Sequence, residues 1–161
     1  MTANACFFDT YAAYRAALLA ALDLAHQSVV LFDPDLRMTG LEAPHGIAAL
    51  ERFCAGATRE DCARIVVHAP HFIERDCPRL LNLLARFGHR LRVRVTPAAL
   101  RHWSQPFLVV DRTHLVTRFH QDAPRGKICL DDARSAAITF AQFETLWISA
   151  QQGPTGAPLG I

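Results

Sequence analysis

Ser28-Val29-Val30-Leu31-Phe32-Asp33-Pro34-Asp35 is a short, continuously apolar, β-branched run that stops on an acidic turn. A strand that reads this way is buried on both faces, and such strands belong to parallel sheets covered by helices. The flanking sequence supplies the covers. Upstream, Tyr11, Tyr14, Leu18, Leu22 and Ala25 recur at helical spacing behind Asp9 and Thr10, residue types that cap helix starts. Downstream, Ile47, Leu50, Phe53 and Cys54 line one face of a second helix ending near Gly56.

The same alternation continues. Ala63-Arg64-Ile65-Val66-Val67-His68 reads as a second buried strand, ended by Pro70. A third helix, capped by Asp76, holds Leu80, Leu81, Leu83, Leu84 and Phe87, with Gly88 just past its end. Leu91, Val93 and Val95 then alternate with Arg90, Arg92 and Arg94, a strand with one buried and one charged face. After Thr96-Pro97 the texture changes: Phe107–Asp111 and His114–Arg118 flank a short turn, as in a hairpin. Lys127-Ile128-Cys129-Leu130 predicts one more strand. Phe140, Phe143, Leu146, Trp147 and Ala150 mark a last helix, started either by the Thr139/Gln142 capping box or earlier by Asp132. The expected fold is therefore α/β: a mixed sheet, mainly parallel with an antiparallel hairpin, and helices on both faces. The expected boundaries are a loose start at 1–9, one domain at 10–152 and a Gly- and Pro-rich tail at 153–161.

At 161 residues, 51% apolar and 20% charged, the chain can bury a sizeable core and is no disordered polymer. No apolar run is long enough to span a membrane, and the first residues do not read as a secretory leader. Cysteines 6, 54, 62, 77 and 129 form no C-x-x-C pair, which predicts reduced thiols and a cytoplasmic setting. No G-x-G-x-x-G, P-loop or G-x-S-x-G occurs, so no nucleotide cofactor and no hydrolase elbow are expected.

Candidate site residues follow from topology and charge. In open α/β sheets ligands sit beyond the carboxyl ends of the parallel strands, which selects Asp33, Asp35, His68, His71 and Thr96. These donor types can hold a divalent metal, but D-P-D is a common turn and a strand-end His commonly packs, so no metal is assigned. Between residues 86 and 127, eight Arg and Lys127 face only Asp111 and Asp122, although the whole chain carries just +2. His114, Val116 and Arg118 share a strand face there, with His120 and Lys127 close in sequence. Asp111, His114, Arg118, His120 and Lys127, together with His68, His71 and Asp33, are thus the candidate anion-binding set. A solvated hairpin face is the plain alternative.

Three stretches carry a resemblance: S-V-V-L-F-D-P-D, then F-L-V-V-D-R-T-H-L-V-T-R-F, then F-A-Q-F-E-T-L-W. Over residues 10–150 the chain resembles one half of the phospholipase D-like superfamily, and most of all its small bacterial branch of unknown function. The active signature of that superfamily is H-x-K-x-x-x-x-D followed by G-S-x-N, with the His attacking phosphorus and the Lys holding phosphate oxygens. Asp111 matches the motif Asp. Ser104 stands at the His position, Pro106 at the Lys position, and Arg118, Phe119 and Gln121 at the Gly, Ser and Asn positions. The resemblance with this degenerate motif implies a domain without the family's catalysis, binding an anionic ligand, a nucleic acid or a protein partner. Family members built from one half pair up, which implies a homodimer. The alternative is a diverged phosphodiesterase or phosphatase in which His102, His114 or His120 attacks and Arg118 or Lys127 holds the phosphate.

Overall fold

Continuous β-branched runs bury best as central strands, and the two read from the sequence take those places. In the computed structural model, which describes residues 5–156, β2 (Val29–Asp33) is buried along its whole length. It lies parallel to β3 (Ala63–Val67), and β3 lies parallel to β4 (Leu91–Val95). On the other side of β2, β5 (Phe107–Val110) runs antiparallel, followed by β6 (His114–Arg118) and β7 (Gly126–Cys129). Two short strands, β1 (Ala5–Phe8) and β8 (Gln151–Gln152), complete one mixed sheet in the order β1-β7-β6-β5-β2-β3-β4-β8. The mixed α/β class stands, with antiparallel neighbours outnumbering the two parallel pairs.

Side-chain alternation divides the core into two layers. On one face Val29, Leu31, Ile65, Val67, Val93, Leu108 and Val116 pack under α1 (Tyr11–Asp23), α2 (Pro44–Gly56) and α4 (Pro78–Arg86). On the other, Val30, Phe32, Val66, Phe107, Val109 and Leu115 meet α5 (Ala133–Ser149) through Phe143, Leu146 and Trp147. Thr10 caps α1 by accepting from the Ala13 amide at 3.1 Å. Asp132, rather than the Thr139/Gln142 pair, caps α5 by accepting from the Ser135 amide and hydroxyl at 3.1 and 2.7 Å.

Several boundaries differ from expectation. The third helix is α4, and a short helix not expected from the sequence, α3 (His71–Asp76), precedes it; the two are separated at Cys77, because Pro78 has no N–H to continue α3 and instead starts α4. Asp76 therefore ends a helix and caps none. Residues 5–8, read as part of a loose start, pair antiparallel along β7. Gln151 and Gln152 pair with β4, and the Gly153 amide donates to the Val93 carbonyl at 2.9 Å. The remaining ends, 1–4 and 157–161, lie outside the described residues. Gly126 is required where β7 pairs with Arg118: a Cβ there would collide with the Thr117 carbonyl.

Candidate functional site

The carboxyl ends of β2, β3 and β4, the start of β5 and the end of β6 all reach the same end of the sheet. Asp33 closes β2, and its carboxylate accepts from the Asp35 and Leu36 amides at 3.1 and 2.7 Å, which locks the D-P-D turn. Its other oxygen accepts from Arg118 Nη2 at 3.2 Å, with both side chains 1% exposed. Arg118 Nη1 donates to the carbonyls of Gln121 and Ala123 at 2.9 and 3.2 Å. The guanidinium carbon lies 4.8 Å from the ring centre of Tyr14 and 5.6 Å from that of Tyr11. This is a closed cation site, with charge, carbonyls and aromatic faces all supplied by the chain itself. Burial pushes the Asp33 carboxyl above its usual range, against the pull of the Leu36 and Asp35 amides and of Arg118. Burial, reinforced by the Asp33 charge, also pushes the Tyr14 hydroxyl well up.

His68 follows β3 at the same end. Nε2 is 2.7 Å from the Trp103 carbonyl and Nδ1 is 2.6 Å from Thr96 Oγ1. A carbonyl only accepts, so Nε2 carries the proton of the neutral ring and Nδ1 accepts from the Thr96 hydroxyl. Phe32 meets the same ring edge-on, centres 5.0 Å apart. Thr96 is buried, and His71 begins α3 and is exposed. Ser104 and Pro106 lie here too: the Ser104 carbonyl accepts from the Gln121 amide at 2.7 Å, and the Pro106 carbonyl from the Arg118 amide at 3.0 Å.

The other candidate residues do not join this group. Asp111 sits at the opposite end of β5, where its carboxylate accepts from the amides of His26, Gln27 and Ser28 at 2.7–3.1 Å. His114 starts β6 at that far end, and its Nδ1 accepts from the Asp131 amide at 3.1 Å. Four residues of strand, about 13 Å, separate it from Arg118. Lys127 pairs with Thr117 and shares the α5 side of the sheet with Cys129, whereas Arg118 points to the α1 side. His120 is exposed in the β6–β7 loop, its Nδ1 accepting from the Asp122 amide at 3.1 Å. The expected cluster around Asp111 therefore splits, because antiparallel strands carry their first and last residues to opposite ends of the sheet.

Much of the positive segment is also consumed internally. Arg86 pairs with Glu51 and Arg92 with Asp61, while Arg90 donates to the Cys54 carbonyl. Arg94 donates to the Trp147 carbonyl and lies 4.0 Å over its ring. Arg101, Arg112, Arg125 and Lys127 have no carboxylate partner among the described residues. The sequence reading missed Tyr11, Tyr14 and Trp103 as parts of the site. The two tyrosines, three apart on α1, were the available signal, since they face the end of β6 together. Among the described residues no three His, Cys, Asp or Glu side chains are placed to hold a metal ion, and no helix is long and apolar enough to cross a membrane.

Comparisons with known proteins agree on architecture. A family model described as a domain of unknown function, DUF7931, matches residues 10–155. Among curated protein sequences none matches the chain. Among solved structures, TrmBL2, described as an archaeal chromatin protein with a novel mode of DNA binding, superposes with a TM-score of 0.68 at 17% identity. The match covers 92% of this chain and 54% of that one, so the chain spans about half the length of TrmBL2. Nuc from Salmonella typhimurium, a phospholipase D family member, gives 0.65 at 15% identity, covering 94% of this chain and 98% of Nuc. NucT from Helicobacter pylori gives 0.60 at 11%, covering 94% and 99%. At these identities the likeness is one of fold, and the fold is phospholipase D-like.

Proposed function

Since the chain belongs to the DUF7931 family, a domain of unknown function, and has a phospholipase D-like fold, we propose that it is a non-hydrolytic member of that fold which grips an anionic partner, a nucleic acid. The observation that carries this reading is the Asp33–Arg118 pair. The end of the sheet where ligands bind in open α/β folds is filled by a guanidinium already neutralised by its own carboxylate. Ser104 and Pro106, at the His and Lys positions of the superfamily signature, offer neither an activated nucleophile nor a cation. His68 has both ring nitrogens engaged by Thr96 and Trp103.

Around this closed centre the loops expose Arg101, His102, His120 and Arg125, and His71 lies on the same rim. TrmBL2, of similar fold, binds DNA. Residues 10–152 form the binding domain in this reading, and a second copy would double the rim. The five free cysteines support a reducing, cytoplasmic setting.

Two measurements on the full chain test the proposal. Bis(p-nitrophenyl) phosphate should not be turned over above background. Labelled duplex DNA should bind with an affinity that falls steeply with salt, and Arg101→Gln and Arg125→Gln should each flatten the log–log salt slope by about 1. Turnover that disappears in His68→Ala, or no DNA binding at low salt, would overturn it.

A further inference from the structure

The N-terminal ends of β2 and β3 form a second, separate site at the far end of the sheet. A cleft of about 390 Å³ opens there between the start of β2, the loop before β3, the β5–β6 turn and α5. Gln27, Ser28, Arg59, Arg64, Arg112 and Phe140 line it, together with Glu60, Asp61 and Cys62. The Phe140 ring collects two cations: the guanidinium carbon of Arg112 is 4.3 Å from its centre and that of Arg64 is 5.8 Å away.

The carboxylates nearby are mostly committed elsewhere. Glu144 pairs with Arg64, Asp61 with Arg92, and Asp111 accepts from three backbone amides. Arg59 and Arg112 themselves form no ion pair among the described residues, although Glu60 lines the same cleft. Arg64 Nε is buried without a hydrogen-bond partner. The turn that presents Arg112 is itself unusual. Asp111 and Arg112 have φ of 53° and 58°, and the Thr113 amide donates to the Val110 carbonyl at 3.0 Å, as in a type I′ hairpin. Such turns favour Asn-Gly, and a long side chain at the second position is strained. The strain is kept where it delivers a guanidinium to the mouth of a polar cleft.

We propose that this cleft binds a phosphoryl oxyanion, held by Arg112 and Arg59 with the Ser28 hydroxyl and the Gln27 side-chain carboxamide. Tetrahedral oxyanions match guanidinium forks, and the volume leaves room for a small organic group beside Phe140. The site is independent of the rim proposed to bind nucleic acid, at the other end of the strands.

Titration of the ¹⁵N-labelled protein with inorganic phosphate, and separately with phenyl phosphate, at constant ionic strength tests the site. Saturable shifts should centre on Gln27, Ser28, Arg59 and Arg112. Arg112→Gly suits the left-handed turn, so it should keep or raise the thermal midpoint while weakening phosphate binding about tenfold or more. Tighter binding of phenyl phosphate assigns an organic phosphate as ligand, and equal binding assigns the free ion. The proposal falls if Arg112→Gly binds phosphate unchanged, if sodium chloride alone produces the same shifts, or if no saturable shift occurs.

Discussion

Asp33 and Arg118 meet at 3.2 Å across the sheet, from the end of β2 to the end of β6, and neither side chain is more than 1% exposed. Removing one partner strands a buried charge. Arg118→Met or Asp33→Leu alone should lower unfolding stability by about 3–5 kcal/mol, while the double substitution should recover part of that loss, since the Leu36 amide and the Gln121 and Ala123 carbonyls still lose their partners. Denaturant melts of all four proteins check this. Equal losses in the single and double variants would mean that packing, not charge pairing, sets the cost.

Asp111 holds three amides at the start of β2, so its role is architectural. Asp111→Ala should cost about 2 kcal/mol, as orphaned N–H groups do, and should leave DNA binding by the folded protein unchanged. A lower chemical denaturation midpoint with an unaltered salt slope is the expected pair of results.

Trp147 stacks on Phe143 with centres 5.9 Å apart, and the guanidinium carbons of Arg94 and Arg64 lie 4.0 and 5.5 Å from its ring centre. Trp147→Ala opens the layer between α5 and the sheet and should cost about 3–5 kcal/mol. An unchanged urea midpoint would contradict that packing.

The thiols divide by burial. Burial pushes the Cys54 thiol up to about 12 and the Cys77 thiol up to about 11, and raises those of Cys62 and Cys129. Cys6 is exposed. At neutral pH iodoacetamide should label Cys6 first and the other four only after denaturation, read by peptide mass spectrometry.

Asp132 gives the domain an acid-sensitive element. Its carboxyl is held below the ordinary 3.8 by the Ser135 hydroxyl and amide. The folded state therefore releases this proton more readily than the unfolded chain. The stabilisation is complete above 3.8 and is lost as pH falls through the lower folded value. The stability gap between wild type and Asp132→Ala should accordingly be constant near neutrality and close below pH 4; a gap that persists in acid would assign the effect to something other than the carboxylate.

The sheet's centre was legible because its signal is local. The apolar runs at 29–33, 63–67 and 107–110 and the alternation at 91–95 needed no knowledge of distant residues. Turn and strand-end residues were harder. Asp111 and Arg118 are seven apart in sequence and look like neighbours in a motif, yet the hairpin sends them to opposite ends of the molecule. Charge misled for a related reason: Arg86, Arg90, Arg92 and Arg94 read as a free basic block, and each is anchored by a group that is distant in the chain. β1 was missed because four residues with an exposed pattern carry no periodicity of their own and exist as a strand only beside β7.

The docking of β5 on the edge of β2 bears on how the chain folds as it is synthesised. By the time β4 has been synthesised, β2, β3 and β4 can already pair, but one flank of β2 has an open row of amides and carbonyls until Phe107–Val110 arrives. For that interval the nascent polypeptide presents an unprotected strand, apolar up to its closing Asp33, the kind of edge on which misassembly between chains begins. Stalling elongation between residues 95 and 107 should therefore lower the yield of folded chain, the expected cost of leaving an early sheet open at β2 until a later strand covers it.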